Sequence, residues 1–224
     1  MVLLLIVLLL AIFLLPNLWA TWVLKRHARP RDDYPGTGGE LAEHLLARLG
    51  IEGVEVEISD QGDHYDPQAR RVRLSPEHYG SRSLTAVTVA AHEVGHAIQH
   101  HRGYKPLLAR SRLVAVAQQA EKLGALLMMA SPFLFALTRA PGGMVIVLLA
   151  AVISFGTAAL VHLVTLPVEF DASFQRALPL LKEYIPPYDM PGARHVLTAC
   201  AFTYVAASLA SLLNLGRWLV ILRR

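Results

Sequence analysis

The feature that most limits how this chain can fold is the length of its uncharged apolar stretches. Val2 to Leu24 and Val196 to Leu215 hold no charged residue, and Met144 to Leu166 holds only His162 as an ionisable group. Each could cross about 30 Å of hydrocarbon, which takes about 20 residues of helix. Leu123 to Leu137 is shorter, but the Pro141-Gly142-Gly143 turn after it suggests the first arm of a hairpin with the next stretch. With 54% hydrophobic residues and mean hydropathy +0.42, the composition lies beyond that of ordinary soluble domains. The expectation is a mainly helical membrane protein with about four transmembrane helices. No basic segment precedes the first stretch and Lys25 and Arg26 follow it, which fits an uncleaved anchor better than a signal peptide. The net charge of +4 is spread over loops without interleaved aromatics, so no nucleic-acid partner is expected. A single cysteine, Cys200, excludes an intramolecular disulfide.

Between the first and second stretches lie about a hundred residues of ordinary polar composition, enough for a small folded domain. Arg31 to Gly39 reads as a linker. Glu40 to Leu49 has the apolar spacing of a short helix stopped by Gly50. Val54 to Ile58 and Arg71 to Leu74 alternate as strands, and the turn residues of Asp60 to Pro67 between them predict a β-hairpin. An exposed strand of that hairpin could hold a peptide through main-chain hydrogen bonds, or be covered and serve packing alone.

Ser83 to Gln99 reads as the next helix, with Ser81 or Ser83 as its cap and Gly103 as its stop. It contains His92-Glu93-Val94-Gly95-His96. Four residues of helix turn about 400° and rise about 6 Å, so His92 and His96 project from nearly one face and can share a metal ion. Glu93 lies about 100° away, suited to take a proton from an attacking water without entering the ligand set. The competing account is a chance helix with two histidines. A catalytic zinc takes three protein ligands and leaves one position open. His100 is too far from His92 along the axis to complete the set, and with His101 it suits the helix C-terminus. Glu169 is the better third ligand: it follows the third apolar stretch at Pro167, and a hairpin of the second and third stretches would return it to the side of His92 and His96. Its alternative is an interfacial glutamate without a metal partner. Asp171 could orient a ligand histidine or be a solvated charge. His162 is a functional suspect by its position but not an expected ligand. Tyr104, Tyr184, Tyr188 and His195 could each polarise a carbonyl, with nothing to rank them.

Asp63-His64-Tyr65-Asp66-Pro67, Val72-Arg73-Leu74-Ser75-Pro76, Val89 through Gln99 and Leu166 through Ser173 resemble the YugP-type membrane zinc metallopeptidases over nearly the whole chain. More distantly the chain is similar to the HtpX and prenyl-protein membrane peptidases, whose third ligand begins an E-x-x-x-D pattern. That glutamate maps onto Glu169, and the pattern's last position holds Ser173 here, which leaves Asp171 as its substitute. The resemblance implies a gluzincin-like core, one zinc ion per chain and peptide-bond hydrolysis.

Together these readings predict an α+β protein with a small gluzincin-like zinc-peptidase domain, containing a β-hairpin and the H-E-x-x-H helix, on a helical membrane anchor. The expected division is 1–24 anchor, 25–122 extramembrane metallopeptidase domain, 123–166 transmembrane hairpin, 167–195 third-ligand segment and 196–224 C-terminal transmembrane helix and tail. The expected metal ligands are His92, His96 and Glu169, with Glu93 as general base, acting on a peptide or a membrane-protein segment at the bilayer. More basic residues flank the side of Arg26 and Arg110 than that of Arg139 and Arg217, which predicts a multi-pass protein with a cytoplasmic-facing active site. The rivals are a non-catalytic zinc-binding membrane scaffold, an intramembrane protease, for which Leu84 to Ile98 is too short, and a metal transporter, whose spans should carry more polar ligands than His162.

Overall fold

Capping chemistry written into the chain sets most helix boundaries. The structure, a computed structural model, describes residues 2–138, 161 and 164–203. Helix α1 spans Val2–Arg26. Thr37 then caps α2, Gly38–Arg48, in a reciprocal box: its side chain accepts from the Glu40 backbone, and the Glu40 carboxylate accepts from the Thr37 N–H at 2.8 Å. Three strands follow, β1 (Glu55–Ile58), β2 (His64–Asp66) and β3 (Arg71–Leu74). Ser75 caps the short α3, Pro76–Gly80. Ser83 caps the motif helix α4, Leu84–His101, by accepting from the Ala86 N–H at 3.1 Å, and Gly103 at φ +61° ends the turn beyond it. Helix α5 is Lys105–Thr138. Residues 164–170 form α6, which widens into a π-helical segment, Asp171–Ala177, before α7, Leu178–Leu181. Residues 190–203 form α8.

The α+β class is as expected, but the pairing is not. The sheet order is β1-β3-β2, with β1 parallel to β3 and β2 antiparallel to it. The hairpin therefore joins β2 to β3, not the two strands read from the sequence. The turn chemistry of Asp60 to Pro67 conceals a three-residue strand, and that strand takes the antiparallel position while β1 crosses to the far edge.

The core is built around α4, which is buried along its length from Leu84 to Gln99. Helix α2, the sheet, the π segment and α8 surround it, contributing Leu45, Val72, Leu74, Ala177, Val196 and Leu197. The approach of the π segment is closest at Gly95, where a Cβ would stand 2.6 Å from the Ala172 carbonyl oxygen.

The expectation of four transmembrane helices is corrected: among the described residues no helix is long and apolar enough to cross a membrane. Two physical reasons are visible. The apolar stretch from Leu123 belongs to a longer α5 that carries Lys105, Arg110, Arg112, Glu121 and Lys122. Ala20 and Val23 on α1, and Val196, Leu197, Ala199 and Cys200 on α8, are buried in the protein core, so their apolar character serves packing. Residues 144–160, 162–163 and 204–215 of the expected third and fourth spans, including His162, lie outside the described residues.

Candidate metal centre

Helix α4 presents His92 and His96 on adjacent turns, their rings 4.8 Å apart between centroids and nearly perpendicular. Glu169, the penultimate residue of α6, enters from the opposite side and is fully buried. Its Oε2 lies 3.2 Å from Nε2 of His92 and 3.2 Å from Nε2 of His96. Ligand atoms held about 2.0–2.1 Å from a tetrahedral zinc stand roughly 3.3 Å from each other, so both separations suit a shared ion. One donor atom from each of the three residues lies within 4.8 Å of the others.

The hydrogen bonds behind the rings assign their tautomers. The Ser173 hydroxyl donates to the Leu197 carbonyl at 3.3 Å and therefore accepts from the His92 Nδ1–H, 3.0 Å away. Gln99 donates from Nε2 to the Val168 carbonyl and to Asp171 Oδ2, both at 2.8 Å, so its Oε1 accepts from the His96 Nδ1–H at 3.0 Å. Both imidazoles in this form turn an Nε2 lone pair toward the Glu169 carboxylate. Two lone pairs and an anionic oxygen facing one another repel unless a cation lies between them or the rings carry a proton on Nε2. In the protonated case burial alone would raise the Glu169 carboxyl, but the His96 charge and hydrogen bonds from both rings outweigh it and hold the group far below the usual carboxylate range. The donor set of two neutral imidazoles and a carboxylate also fits zinc.

Glu93 is buried beside this cluster. Burial pushes its carboxyl up to about 7; the His92 charge opposes the shift, and the Glu169 and Asp63 charges add to it. Glu93 and His96 open into a cleft of about 410 Å³ whose walls are β2 and the following turn on one side and Leu107, Arg110 and Val114 of α5 on the other. The outer edge of β2 thus runs along the cleft. Asp63 fixes the entry to that strand: it accepts from the Ser75 N–H at 2.8 Å and pairs with His78 Nδ1 at 2.7 Å.

His92, Glu93, His96 and Glu169 are thus brought together as the sequence suggested. Asp171 touches neither ligand ring. It reaches His96 through Gln99 and is braced by Arg176 Nε at 3.1 Å, while Ser173 is the residue that orients His92. The four candidate carbonyl-polarising groups sit elsewhere: Tyr184 bonds His44 and Arg48, Tyr188 is beside Arg31 and Asp33, His195 faces His27, and Tyr104 lies against Arg176. Sequence reasoning missed Gln99, Gly95 and Arg110. Gln99 lies seven residues after His92, on the same helical stripe, which is the signal that could have found it. Arg110 Nη1 is 3.3 Å from the second oxygen of Glu169, and only the tertiary contact reveals it.

The profile of a family described as "Putative neutral zinc metallopeptidase" matches residues 1–223. The chain belongs to this family. It is also 36% identical over 212 residues to the "Putative membrane protease YugP" of Bacillus subtilis (strain 168), covering 92% of this chain and 91% of that one. No solved structure matches it. The family description names zinc, and the buried His92, His96 and Glu169 cluster is the group among the described residues that could hold a metal ion.

Proposed function

We infer that this chain is a membrane-associated zinc endopeptidase in which His92, His96 and Glu169 bind one zinc ion and Glu93 is the general base. The observation that carries the reading is the convergence of two Nε2 lone pairs and a buried carboxylate beside a second, differently tuned carboxyl group. Zinc held there would polarise the scissile carbonyl and make an attacking water more acidic. Glu93 takes the proton of that water and delivers it to the departing amine, a task suited to a carboxyl raised toward neutrality. The Ser173 and Gln99 contacts keep both imidazoles turned to the metal. A peptide laid along the outer edge of β2 would pair with its backbone and pass Glu93 and His96 in extended form. Membrane association rests on the name of the Bacillus relative and on exposed apolar residues of α1 and α5, among them Leu18, Trp22, Leu126 and Met129.

The test is Glu93→Gln in the purified full chain, with metal content and cleavage of casein measured side by side. The expected result is one zinc per chain retained and hydrolysis reduced by about 10²–10⁴-fold. Unchanged hydrolysis would remove the base assignment. Zinc retention with no chelator-sensitive cleavage in the wild type would favour a non-catalytic zinc-binding scaffold.

A further inference from the structure

The outward side of α1 changes character along the helix axis. Leu15, Leu18, Trp22 and Lys25 follow one another at spacings of three, four and three residues, which places them on a single stripe, and Arg29 continues the order just past the helix end. Leu15, Leu18 and Trp22 are each more than half exposed, and Lys25, Arg26 and Arg29 are exposed as well. The inward side, Ala20 and Val23, is packed in the core, and among the described residues nothing covers the outward stripe.

At its basic end is a concavity of about 550 Å³ lined by Trp22, Lys25, Arg26 and Arg29. The Arg26 guanidinium lies over the Trp22 ring, 5.1 Å from its centroid. Among the described residues no carboxylate lines the concavity and none of these three cations is in an ion pair. Clustered cations without an acidic neighbour repel one another, which an anion would relieve.

We propose that this concavity binds the phosphate of an anionic phospholipid headgroup, with the leucines below it in the acyl region and Trp22 at the boundary. The proposal rests on the membrane association inferred above and deepens it. Apolar, aromatic and cationic side chains succeed one another over about 20 Å along the chain, the order in which a leaflet presents acyl chain, glycerol region and phosphate. A nucleic acid would meet the cations but has nothing to cover the leucines. A protein partner would cover the leucines without requiring three unpaired cations.

The position also matters to the metal centre. The end of α1 is tied to the start of α4: the Thr85 hydroxyl donates to the Leu24 carbonyl at 2.7 Å, and the Thr85 N–H donates to the His27 carbonyl at 3.2 Å. His92 lies seven residues further along α4, about 10 Å on. A headgroup held at Arg26 would thereby fix the distance of the catalytic cleft from the lipid surface.

The experiment measures binding of the purified full chain to vesicles of phosphatidylcholine alone and of phosphatidylcholine mixed with phosphatidylglycerol. The wild type should prefer the anionic vesicles about tenfold or more, and the preference should weaken as salt rises. The K25Q/R26Q/R29Q variant should lose the preference, while R26K/R29K should keep it. Casein cleavage by either variant should match the wild type, which shows that the fold survives. Equal binding to both vesicle types, or a preference that the triple variant keeps, overturns the headgroup site and leaves membrane association standing. Binding to neither vesicle type overturns both.

Discussion

Two polar networks in this molecule use similar side chains and carry very different weight. On the open face of the sheet, Glu57 pairs with Arg71 at 2.6 Å and with Arg73 at 2.7 Å, and Arg73 pairs with Asp66 at 2.7 Å. Between α4 and the π segment, Gln99, Ser173, Glu169 and the two imidazoles make contacts of 2.8–3.3 Å with almost no access to solvent. Water can replace any partner lost from the first network and screens its charges. In the second, a lost partner leaves a buried group unsatisfied and releases a ring that must point at one place. Burial, more than bond length, separates the two networks.

The largest break in this contrast should come from Glu169→Gln. It removes the anionic oxygen on which both imidazoles converge, and metal content and chelator-sensitive hydrolysis should both fall to background. If the variant holds zinc as tightly as the wild type, the third ligand lies elsewhere. Gly95→Ala should follow: the new methyl meets the Ala172 carbonyl at 2.6 Å, so α4 and the π segment must separate, costing about 1–3 kcal/mol of stability with weaker zinc binding, read by thermal unfolding and metal titration. Gln99→Leu leaves the His96 Nδ1–H and the Val168 carbonyl without their partner. It should weaken zinc binding about 10–100-fold, and combining it with Asp171→Asn should add little, because both act on one chain of contacts.

A pH experiment sharpens the same point in protein stripped of metal. The folded-state pKa of Glu93 is raised to about 7 by burial, so the unfolded chain loses this proton first. Stability linked to the group is complete below its unfolded pKa and is lost as pH rises through about 7. Glu93→Gln should therefore stabilise the apoprotein above pH 7 by on the order of 2–3 kcal/mol and change little near pH 4. A pH-independent effect would place the gain elsewhere. The smallest effect belongs to Glu57→Gln on the half-buried sheet face, where the unfolding midpoint should stay within the scatter of ordinary surface substitutions.

How much was legible depended on the range of the interaction. Residues close in sequence declared themselves: Ser83 as cap of α4, Gly103 as its stop, and His92, Glu93 and His96 at helical spacing. The approach of Glu169 to the two histidines was reachable because a catalytic zinc would ask for a third donor and few candidates existed, although most of the transmembrane hairpin used to bring it back lies outside the described residues. Strand pairing was misread, since three-residue β2 is too short for its alternation to stand out from a turn, and pairing between segments leaves no periodic mark. Within the described residues the apolar stretches were overread as membrane spans, because composition does not distinguish a side chain facing lipid from one facing protein. Ala20 and Val196 face protein.

By itself, the sequence determined the helix that carries the paired imidazoles and the glutamate between them, because a helical repeat converts spacing directly into a shared face. Only the tertiary structure decided that Ser173 and Gln99, rather than Asp171, hold the two rings, that Arg110 stands behind Glu169, and that Gly95 must lack a side chain. Those facts depend on which distant segments meet: Ser173 and His92 are 81 residues apart, and Gln99, only three residues from His96, is held by Val168 and Asp171 across 69 and 72 residues. That meeting is set by packing of the whole core and not by any local pattern.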